Sequence, residues 1–254
     1  PNKSLGQHWL HERSILKTIA DAAQLKATDT VLEIGPGLGT LTSEILRQAD
    51  KVVAVEFDSE LARKLPGQFP GKDLTVINED ILHFDFGSLP AGYKVVANVP
   101  YYITSKIIER LMTADNKPSI AVLLVQKEVA ERIAAQPGDM SILAVSAQLY
   151  AEASLGVMVP RQFFTPPPKV DSQVIVLKTR TEPLVPAEDE RALFRVVKAG
   201  FRAKRKKLRS SISAGLAMTK PAAEELLRHA NIDPELRAED LSIDDWLRLA
   251  RDAV

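Results

Sequence analysis

TVLEIGPGLGTLTSEIL, residues 30–46, is the stretch that decides the fold. It begins with a short apolar run typical of a buried strand, continues into glycines spaced as GxGxG, and ends in a helical pattern. Gly35, Gly37 and Gly39 allow a tight turn and a close approach of the backbone to a ligand, with helix amide groups pointing at it. A strand, a glycine turn and a helix in this order predict one unit of a doubly wound α/β sheet.

The same alternation of strands and helices continues along the chain. Further runs rich in valine and isoleucine are continuous, as in strands covered on both faces. They are KVVAVE (51–56), LTVIN (74–78), KVVAN (94–98) and IAVLLVQ (120–126). Helical patterns near 127–135 and 141–149 come next, and two strands near 151–159 and 172–179 should close the sheet as an antiparallel hairpin. We therefore predict an α/β, Rossmann-like, mostly parallel seven-stranded sheet.

The last 70 or so residues have a different pattern. TRTEPLVPAED (179–189) is typical of a linker, and only helical patterns follow it. We expect these helices near 188–201, 204–215, 219–230 and 242–253. The predicted domains are therefore 1–180, with the sheet, and a small helical domain at 181–254.

Composition limits the class of protein. The chain has 254 residues, 45% of them hydrophobic, enough for one large core and a small satellite. It has no cysteine, which fits a reducing cytoplasm, and its four histidines never form HxxxH, so we expect no metal site. No apolar run approaches the roughly 18 residues that span a bilayer, and PNKSLGQHWLHE at the N-terminus lacks the apolar stretch of a signal peptide.

Charge is balanced overall but unevenly distributed. Lys plus Arg and Asp plus Glu both total 33, whereas RVVKAGFRAKRKKLR (195–209) carries eight cations and no acid. Such a run could be an ordinary solvated helix face. Solvated faces usually mix charges of both signs, so the run favours a surface that binds a polyanion.

Acidic residues follow the strands next to the glycine turn. Glu56 ends the second strand, where a carboxylate can accept both hydroxyls of a ribose, and Asp80 follows the third strand, within reach of an adenine amino group. Position 40 is Thr, so the GxGxxG dinucleotide fingerprint is not met. This counts against NAD, which remains the rival ligand. The favoured ligand is S-adenosylmethionine, because its sulfonium cation tolerates carboxylates such as Glu33 and Glu56.

NVPY, residues 98–101, interrupts the end of the fourth strand. The side-chain oxygen of Asn98 and the carbonyl of Pro100 could both accept hydrogens from one exocyclic amine, while the ring of Tyr101 stacks on the base. Two acceptors favour the pyramidal amine, whose lone pair is no longer delocalised into the ring. Proline has no amide hydrogen, so its carbonyl can be aimed without a competing donor. The alternative is an ordinary turn with tyrosines that pack the core.

These motifs together resemble the ribosomal RNA adenine dimethyltransferases. The matching segments are GQHWL (6–10), EIGPGLGTLT (33–42), the acid at 56, ED (79–80), NVPYYITS (98–105) and FFTPPPKVDS (163–172). The resemblance extends from about residue 4 to the C-terminus. GPGLGTLT and FRAKRKKLRSSI are more similar to the KsgA type, which modifies two adjacent adenines of small-subunit RNA, than to the Erm type, which modifies large-subunit RNA.

The resemblance implies roles for individual residues. It places the methyl donor against His8, Leu10, Gly35, Glu56, Asp80 and Asn98, with Gly37 in the same glycine turn. It makes Asn98, Pro100 and Tyr101 the target-base site, with Phe164, or Phe163 in its place, as a second aromatic wall. Trp9 departs from the phenylalanine common in the family and should still pack there. The implied RNA-binding residues are Arg202, Lys204, Arg205, Lys206, Lys207 and Arg209.

We therefore predict a cytoplasmic, monomeric, S-adenosylmethionine-dependent enzyme that dimethylates two adjacent adenines of small-subunit ribosomal RNA. Its partner is that RNA, within an assembling small subunit, and no membrane is involved. Three alternatives remain. They are an Erm-type enzyme, a DNA adenine methyltransferase, for which we find no separate target-recognition domain, and a non-catalytic RNA-binding assembly or transcription factor.

Overall fold

The computed structural model describes residues 8–203 and 205–253. They form two compact units. One consists of the chain up to Glu131 together with Ala151–Arg180, and the other of Arg132–Tyr150 together with the chain from Thr181 onward. Within the described ranges, no helix is both long and apolar enough to cross a bilayer.

Nine strands occur among the described residues, all in the first unit. In chain order they are β1 (Trp9–Leu10), β2 (Thr30–Ile34), β3 (Lys51–Glu56), β4 (Asp73–Asn78), β5 (Lys94–Asn98), β6 (Ile120–Gln126), β7 (Ala151–Val159), β8 (Phe164–Thr165) and β9 (Ser172–Thr179). Seven of them form one sheet in the order β4-β3-β2-β5-β6-β9-β7. The strands from β4 to β6 are parallel, and β9 pairs antiparallel with both β6 and β7. The predicted mostly parallel seven-stranded sheet with a closing hairpin is confirmed.

The strand order reverses direction at β2. From β2 the chain proceeds outward through β3 to β4 and then returns to place β5 on the other side of β2. In doubly wound sheets, a reversal of this kind opens a crevice at the carboxyl ends of the two central strands. Here those ends are Ile34, followed by the glycine turn, and Asn98.

Helices cover the sheet of the first unit. They are α1 (Arg13–Ala22), α2 (Thr40–Ile45), α3 (Ser59–Lys64), α4 (Thr104–Thr113) and the start of α5 (Lys127–Ile133). Ile19 of α1 and Ile45 of α2 are fully buried in one cluster with Val96 of β5. Burial of each such side chain contributes about 1.5–3 kcal/mol. Neither α1 nor the small sheet in which β1 pairs with β8 was expected from the sequence.

The second unit is helical. Its helices are α6 (Ile142–Gln148), α7 (Glu190–Phe201), α8 (Leu208–Gly215), α9 (Lys220–His229) and α10 (Ile243–Asp252). Trp246 of α10 is fully buried, and a Cβ at Gly200 of α7 would lie 2.4 Å from its indole. The predicted third-from-last helix is shorter than expected, because α8 begins at Leu208 rather than near 204.

The units divide the chain differently from the predicted domains at one place. The first unit's last segment ends at Arg180, next to the predicted boundary, but residues 132–150 group with the helical unit. The N–H groups of Gly138 and Met140 donate to the carbonyl of Glu239, and the Tyr150 hydroxyl donates to Glu190 at 2.8 Å. The hydrophobic periodicity of the sequence could not reveal these long-range hydrogen bonds.

Candidate functional site

A cavity of about 280 Å³ lies in the first unit at the carboxyl ends of the parallel strands. The segments that line it follow β2, β3, β4 and β5 or precede α1. Its walls come from His8–Leu10, Glu33–Gly37, Glu56–Phe57, Glu79–Leu82 and Asn98–Ile103, with side chains of α1 and α2 behind them. Nine of the ten predicted donor and base residues line this one cavity: His8, Leu10, Gly35, Gly37, Glu56, Asp80, Asn98, Pro100 and Tyr101.

The glycine turn carries the conformation that its sequence suggested. Gly35, Gly37 and Gly39 have φ values of +64°, +57° and +80°, a region that favours glycine. A Cβ at Gly37 would lie 2.2 Å from the Trp9 ring, so the indole packs directly on this glycine. The Thr40 hydroxyl also donates to the Leu10 carbonyl at 3.0 Å. Together these contacts hold the β1 segment as one wall of the cavity.

Glu56 connects the glycine turn with the loop after β3. The Gly37 N–H donates to its Oε2 at 3.0 Å, and the Asp58 N–H donates to its Oε1 at 2.8 Å. The side chain is only 6% exposed, and this burial raises its pKa. Each carboxylate oxygen has a further lone pair, so both can still accept a hydroxyl from a ligand.

Glu33 is a buried acid with one carboxyl oxygen that has no hydrogen-bond partner. It is 1% exposed, it lines the cavity, and its Oε2 has no hydrogen-bond partner among the described residues. Burial, with the nearby charge of Glu56, raises the pKa of Glu33 to about 8. From the sequence, Glu33 was expected to be a carboxylate, but its burial favours the protonated form near neutral pH. A buried carboxyl with an unpaired oxygen in a cavity fits a cationic ligand.

The loop after β4 presents Asp80 to the cavity. Asp80 Oδ1 accepts from the Leu82 N–H at 2.9 Å, and its Oδ2 lies 3.9 Å from His83 Nδ1. Arg110 of α4 braces the same loop, because its guanidinium donates to the carbonyls of Ile81, Leu82 and Phe84. Its Cζ also lies 5.1 Å from the centre of the Phe86 ring.

Sequence reasoning missed two residues of this region. Arg110 was missed because nothing in the sequence links it to a loop about 30 residues earlier. Phe57 lines the cavity and is 60% exposed, an unusual state for a large apolar side chain. Its position directly after Glu56 was the available signal, since an aromatic ring beside a ribose acceptor can stack on the attached base.

Asn98 and Pro100 meet at the cavity rim. The Asn98 side-chain amide donates to the His8 carbonyl at 3.3 Å, and no described residue donates to its Oδ1. The Pro100 carbonyl accepts the Ile103 N–H and the Thr104 hydroxyl, both at 3.3 Å. The expectation that no donor competes for this carbonyl is therefore wrong, because the turn after Pro100 brings the Ile103 N–H and the Thr104 hydroxyl to it. Both bonds are long, and an sp² oxygen can accept more than one donor.

Tyr101 is fixed at both ends. Its hydroxyl lies 2.6 Å from the buried Ser172 hydroxyl, and burial raises its pKa. Its ring stacks on the His8 imidazole, with centroids 5.7 Å apart and planes 22° apart. His8 Nδ1 lies 2.7 Å from the Pro166 carbonyl, which can only accept, so this nitrogen carries the proton. Only Nε2 of His8 remains for a ligand.

Phe164 does not lie where the resemblance implied. It is 2% exposed, belongs to the hydrophobic core of the first unit and, in β8, pairs with Leu10. The alternative, Phe163, is 37% exposed, but neither ring lines the cavity. The prediction that Phe164 forms a second wall of the base site is therefore corrected, because pairing of β8 with β1 directs its side chain into the core. His8 is the ring that faces Tyr101.

The predicted RNA-binding cations of the second unit fall into two groups. Lys207 forms an ion pair with Glu235, and Arg209 Nη1 lies 2.6 Å from Glu235 and 3.6 Å from Glu224. In contrast, no ion pair with a described residue involves the exposed side chains of Arg202, Arg205 and Lys206. Lys204 lies outside the described residues. The run without acids in the sequence is thus partly neutralised by acids from distant positions.

Comparisons with known proteins agree on one family. A family model described as ribosomal RNA adenine dimethylase matches residues 1–253. The Ribosomal RNA small subunit methyltransferase A of Dehalococcoides mccartyi (strain CBDB1) is 42% identical over 251 residues, which is 97% of this chain and 86% of that protein.

Two solved structures are similar over nearly the full length. A dimethyladenosine transferase from Plasmodium falciparum is 29% identical, with a TM-score of 0.82 and coverage of 95% of this chain and 96% of that one. The 23S rRNA methyltransferase ErmE is also 29% identical, with a TM-score of 0.78 and coverage of 96% and 98%.

Proposed function

The chain belongs to the ribosomal RNA adenine dimethylase family and is a methyltransferase, and from that premise we propose how it acts. It transfers methyl groups from S-adenosylmethionine to the exocyclic amines of two adjacent adenines in small-subunit ribosomal RNA, two to each. Relatives named for the small subunit are about 40% identical over nearly the whole chain, which favours the small-subunit substrate over the Erm type.

The observation that carries the proposal is the position of Asn98. Its side-chain oxygen is a free acceptor at the rim of the cavity, next to the Pro100 carbonyl and the Tyr101 ring. The two oxygens accept the hydrogens of the adenine amine and so favour the form in which its lone pair is available. Pro100 makes this contact when the amine replaces the long bonds from Ile103 and Thr104. Once methylated, the amine releases its proton to solvent.

The residues in the cavity fit S-adenosylmethionine. The bound donor supplies a methyl group activated by a sulfonium. Glu56 accepts the ribose hydroxyls, Asp80 accepts the adenine amino group, and Phe57 stacks on the adenine. Beside the bound cation the Glu33 carboxyl would release its proton, because an opposite charge favours the ionised form, and the carboxylate would then balance the sulfonium. His8 offers the lone pair of Nε2 to the ammonium group of the donor's methionine part, while Leu10 and the glycine turn close the wall.

Replacing Glu33 by glutamine should change the pH dependence of stability. Burial holds the pKa of Glu33 at about 8, whereas the exposed group titrates near 4.5, so the folded protein binds an extra proton between these values. The free energy of unfolding of the natural protein therefore falls as pH rises from about 5 to 8. The variant E33Q has no such proton and should lose less stability over this range.

Thermal unfolding between pH 5 and 8.5 measures this effect. The melting temperature of the natural protein should decline relative to that of E33Q as pH rises. E60Q is the matched control, since the Glu60 side chain is 73% exposed, and it should follow the natural protein. Parallel curves for all three proteins would contradict the assignment of a buried, protonated Glu33.

The partners follow from the substrate. We propose that the protein works as a monomer, in the cytoplasm, on small subunits during assembly, with the helical second unit holding the RNA. Recognition then depends on the shape of folded RNA, because phosphate contacts position a nucleic acid without reading its sequence. A second, non-catalytic role in assembly is compatible with this arrangement.

Incubation with labelled methyl donor and unmethylated small subunits tests the proposed function. We expect label in the RNA, and mass spectrometry should find two adjacent dimethyladenosines. Free large-subunit RNA is the comparison substrate, and preferential labelling of it would instead indicate the Erm-type activity. Label on protein or small metabolites would overturn the proposal.

A further inference from the structure

We infer that one exposed face of α7 is a phosphate-binding surface for ribosomal RNA. We call it the α7 stripe, and its members are Arg191, Arg195, Lys198 and Arg202, the last at the helix C-cap. The inference rests on the proposed function and deepens it, because it identifies which surface of the second unit holds the RNA backbone. The resemblance had pointed to the residues after this helix.

Helix geometry places the four cations in one line. Their spacings are four, three and four residues, so at about 100° per residue they lie within roughly 60° of arc, and at about 1.5 Å per residue they extend roughly 16 Å. All four are exposed. The opposite face of α7 is buried, as Leu193, Val196 and Val197 show. The stripe therefore lies on the solvent side of a helix whose orientation the core fixes.

The stripe has no acidic partners among the described residues. Positions 192–203 contain no acid, and no ion pair involves any of its four members. Three acids, Glu188, Asp189 and Glu190, come directly before Arg191, but none of them forms an ion pair with it, and Glu190 accepts the Tyr150 hydroxyl. The cations of the stripe are therefore free to meet an external anion.

The start of α8 shows the opposite arrangement in the same unit. Lys207 and Arg209 share Glu235, and Arg209 also meets Glu224, which in turn pairs with Arg228. A phosphate would have to displace these carboxylates before it could bind there. Two of the cations that sequence alone assigned to RNA are thus better suited to joining α8 to α9 and to the loop after α9.

The helix dipole favours Lys198 in the last turn and Arg202 at the C-cap, but the first half of the stripe is unfavourable for the helix. Like charges four residues apart on a helix destabilise it slightly, and Arg191 lies in the first turn, where the positive end of the helix dipole disfavours a cation. A row of phosphates relieves both effects. The contacts would position RNA rather than read bases, since the stripe itself has no aromatic residue.

The test compares a stripe variant with two control variants. R191Q/R195Q/K198Q removes three charges from the stripe, and K51Q/R63Q/K72Q removes three exposed charges from the first unit. The dissociation constant for small-subunit ribosomal RNA is measured at several salt concentrations. Each lost phosphate contact should reduce the slope of log K against log salt by about 0.7 to 0.9, so the stripe variant should lose about 2 in slope. At low salt it should bind at least tenfold more weakly.

The two control variants show whether the loss of RNA affinity is specific to the stripe. The first-unit triple should keep the natural slope, and K207Q/R209Q should keep it as well but melt at a lower temperature, because it breaks the paired cluster. A stripe variant with the natural slope, or a first-unit triple that loses as much, would overturn the inference. If binding falls for assembled subunits but not for naked RNA, the stripe binds protein and the inference is wrong.

Failure of the inference is distinguishable from failure of the proposed function. If the function is right and the inference wrong, the natural protein still methylates small subunits, and the stripe variant does so with the natural salt dependence. If the function itself is wrong, the natural protein labels no RNA at any salt concentration. Donor binding by the stripe variant should be unchanged and serves as the check that it is folded.

Discussion

Asn98→Ala should reduce the rate of methyl transfer by about 10²–10³-fold, the size of effect seen when one preorganised polar group is removed from a reacting centre. The side-chain oxygen is the acceptor that no described residue occupies, and alanine leaves the amine with the Pro100 carbonyl alone. The affinity for the methyl donor should change only several-fold, because Glu56, Asp80 and the glycine turn remain. The effect should therefore appear in the rate and not in donor binding.

Single-turnover rates with saturating labelled donor, together with calorimetric donor binding, separate the two quantities. Asn116→Ala is the matched control: the Asn116 amide donates to the carbonyls of Phe86 and Leu89, and the residue does not line the cavity. It should lower the melting temperature but retain the rate. If Asn98→Ala transferred methyl groups at the natural rate, the proposed activation of the amine would be wrong.

Glu56→Ala should weaken donor binding by about 10²-fold. Hydrogen bonds to a charged group contribute about 1.5–3 kcal/mol each, and the carboxylate serves both the ribose hydroxyls and the Gly37 N–H that shapes the turn. The transfer rate at saturating donor should recover to within a few-fold of the natural rate, because Asn98, Pro100 and Tyr101 are untouched. RNA affinity should not change.

Calorimetric titration with S-adenosylmethionine measures the first quantity and single-turnover kinetics the second. Glu60→Ala removes the same charge from an exposed position on the neighbouring helix and should bind the donor normally. If Glu56→Ala bound the donor with the natural affinity, the proposal that Glu56 binds the ribose would be wrong. If the methyl-transfer rate of Glu56→Ala stayed far below the natural rate even at saturating donor, Glu56 would act in the transfer step itself.

The strands of the sheet could be predicted almost residue by residue. The ranges 30–34, 51–56, 94–98 and 120–126 agree with the structure, and β4 begins one residue earlier than expected. Parallel strands that are buried on both faces need continuous apolar side chains, so the first and last residues of each strand can be predicted from the local sequence. The two-residue strands β1 and β8 left no such signal, since they pair across about 155 residues.

The candidate site was only partly predictable. Residues that follow parallel strands converge because all carboxyl ends meet at one edge, which is why Glu56, Asp80 and Asn98 could be assigned to one crevice from sequence. Phe164 was misplaced because its direction depends on pairing with the segment that contains Leu10. The protonation of Glu33 and the brace formed by Arg110 depend on burial and on contacts between distant segments.

The sequence by itself determined the seven strands of the main sheet, the glycine turn and the family, because each is encoded by residue types at short spacing. The tertiary structure alone decided which cations remain unpaired, which aromatic ring faces Tyr101, and which acid holds a proton. Those properties depend on distances and desolvation between residues far apart in the chain. A carboxylate such as Glu235 can neutralise Lys207 from 28 positions away, while the face of α7 remains charged.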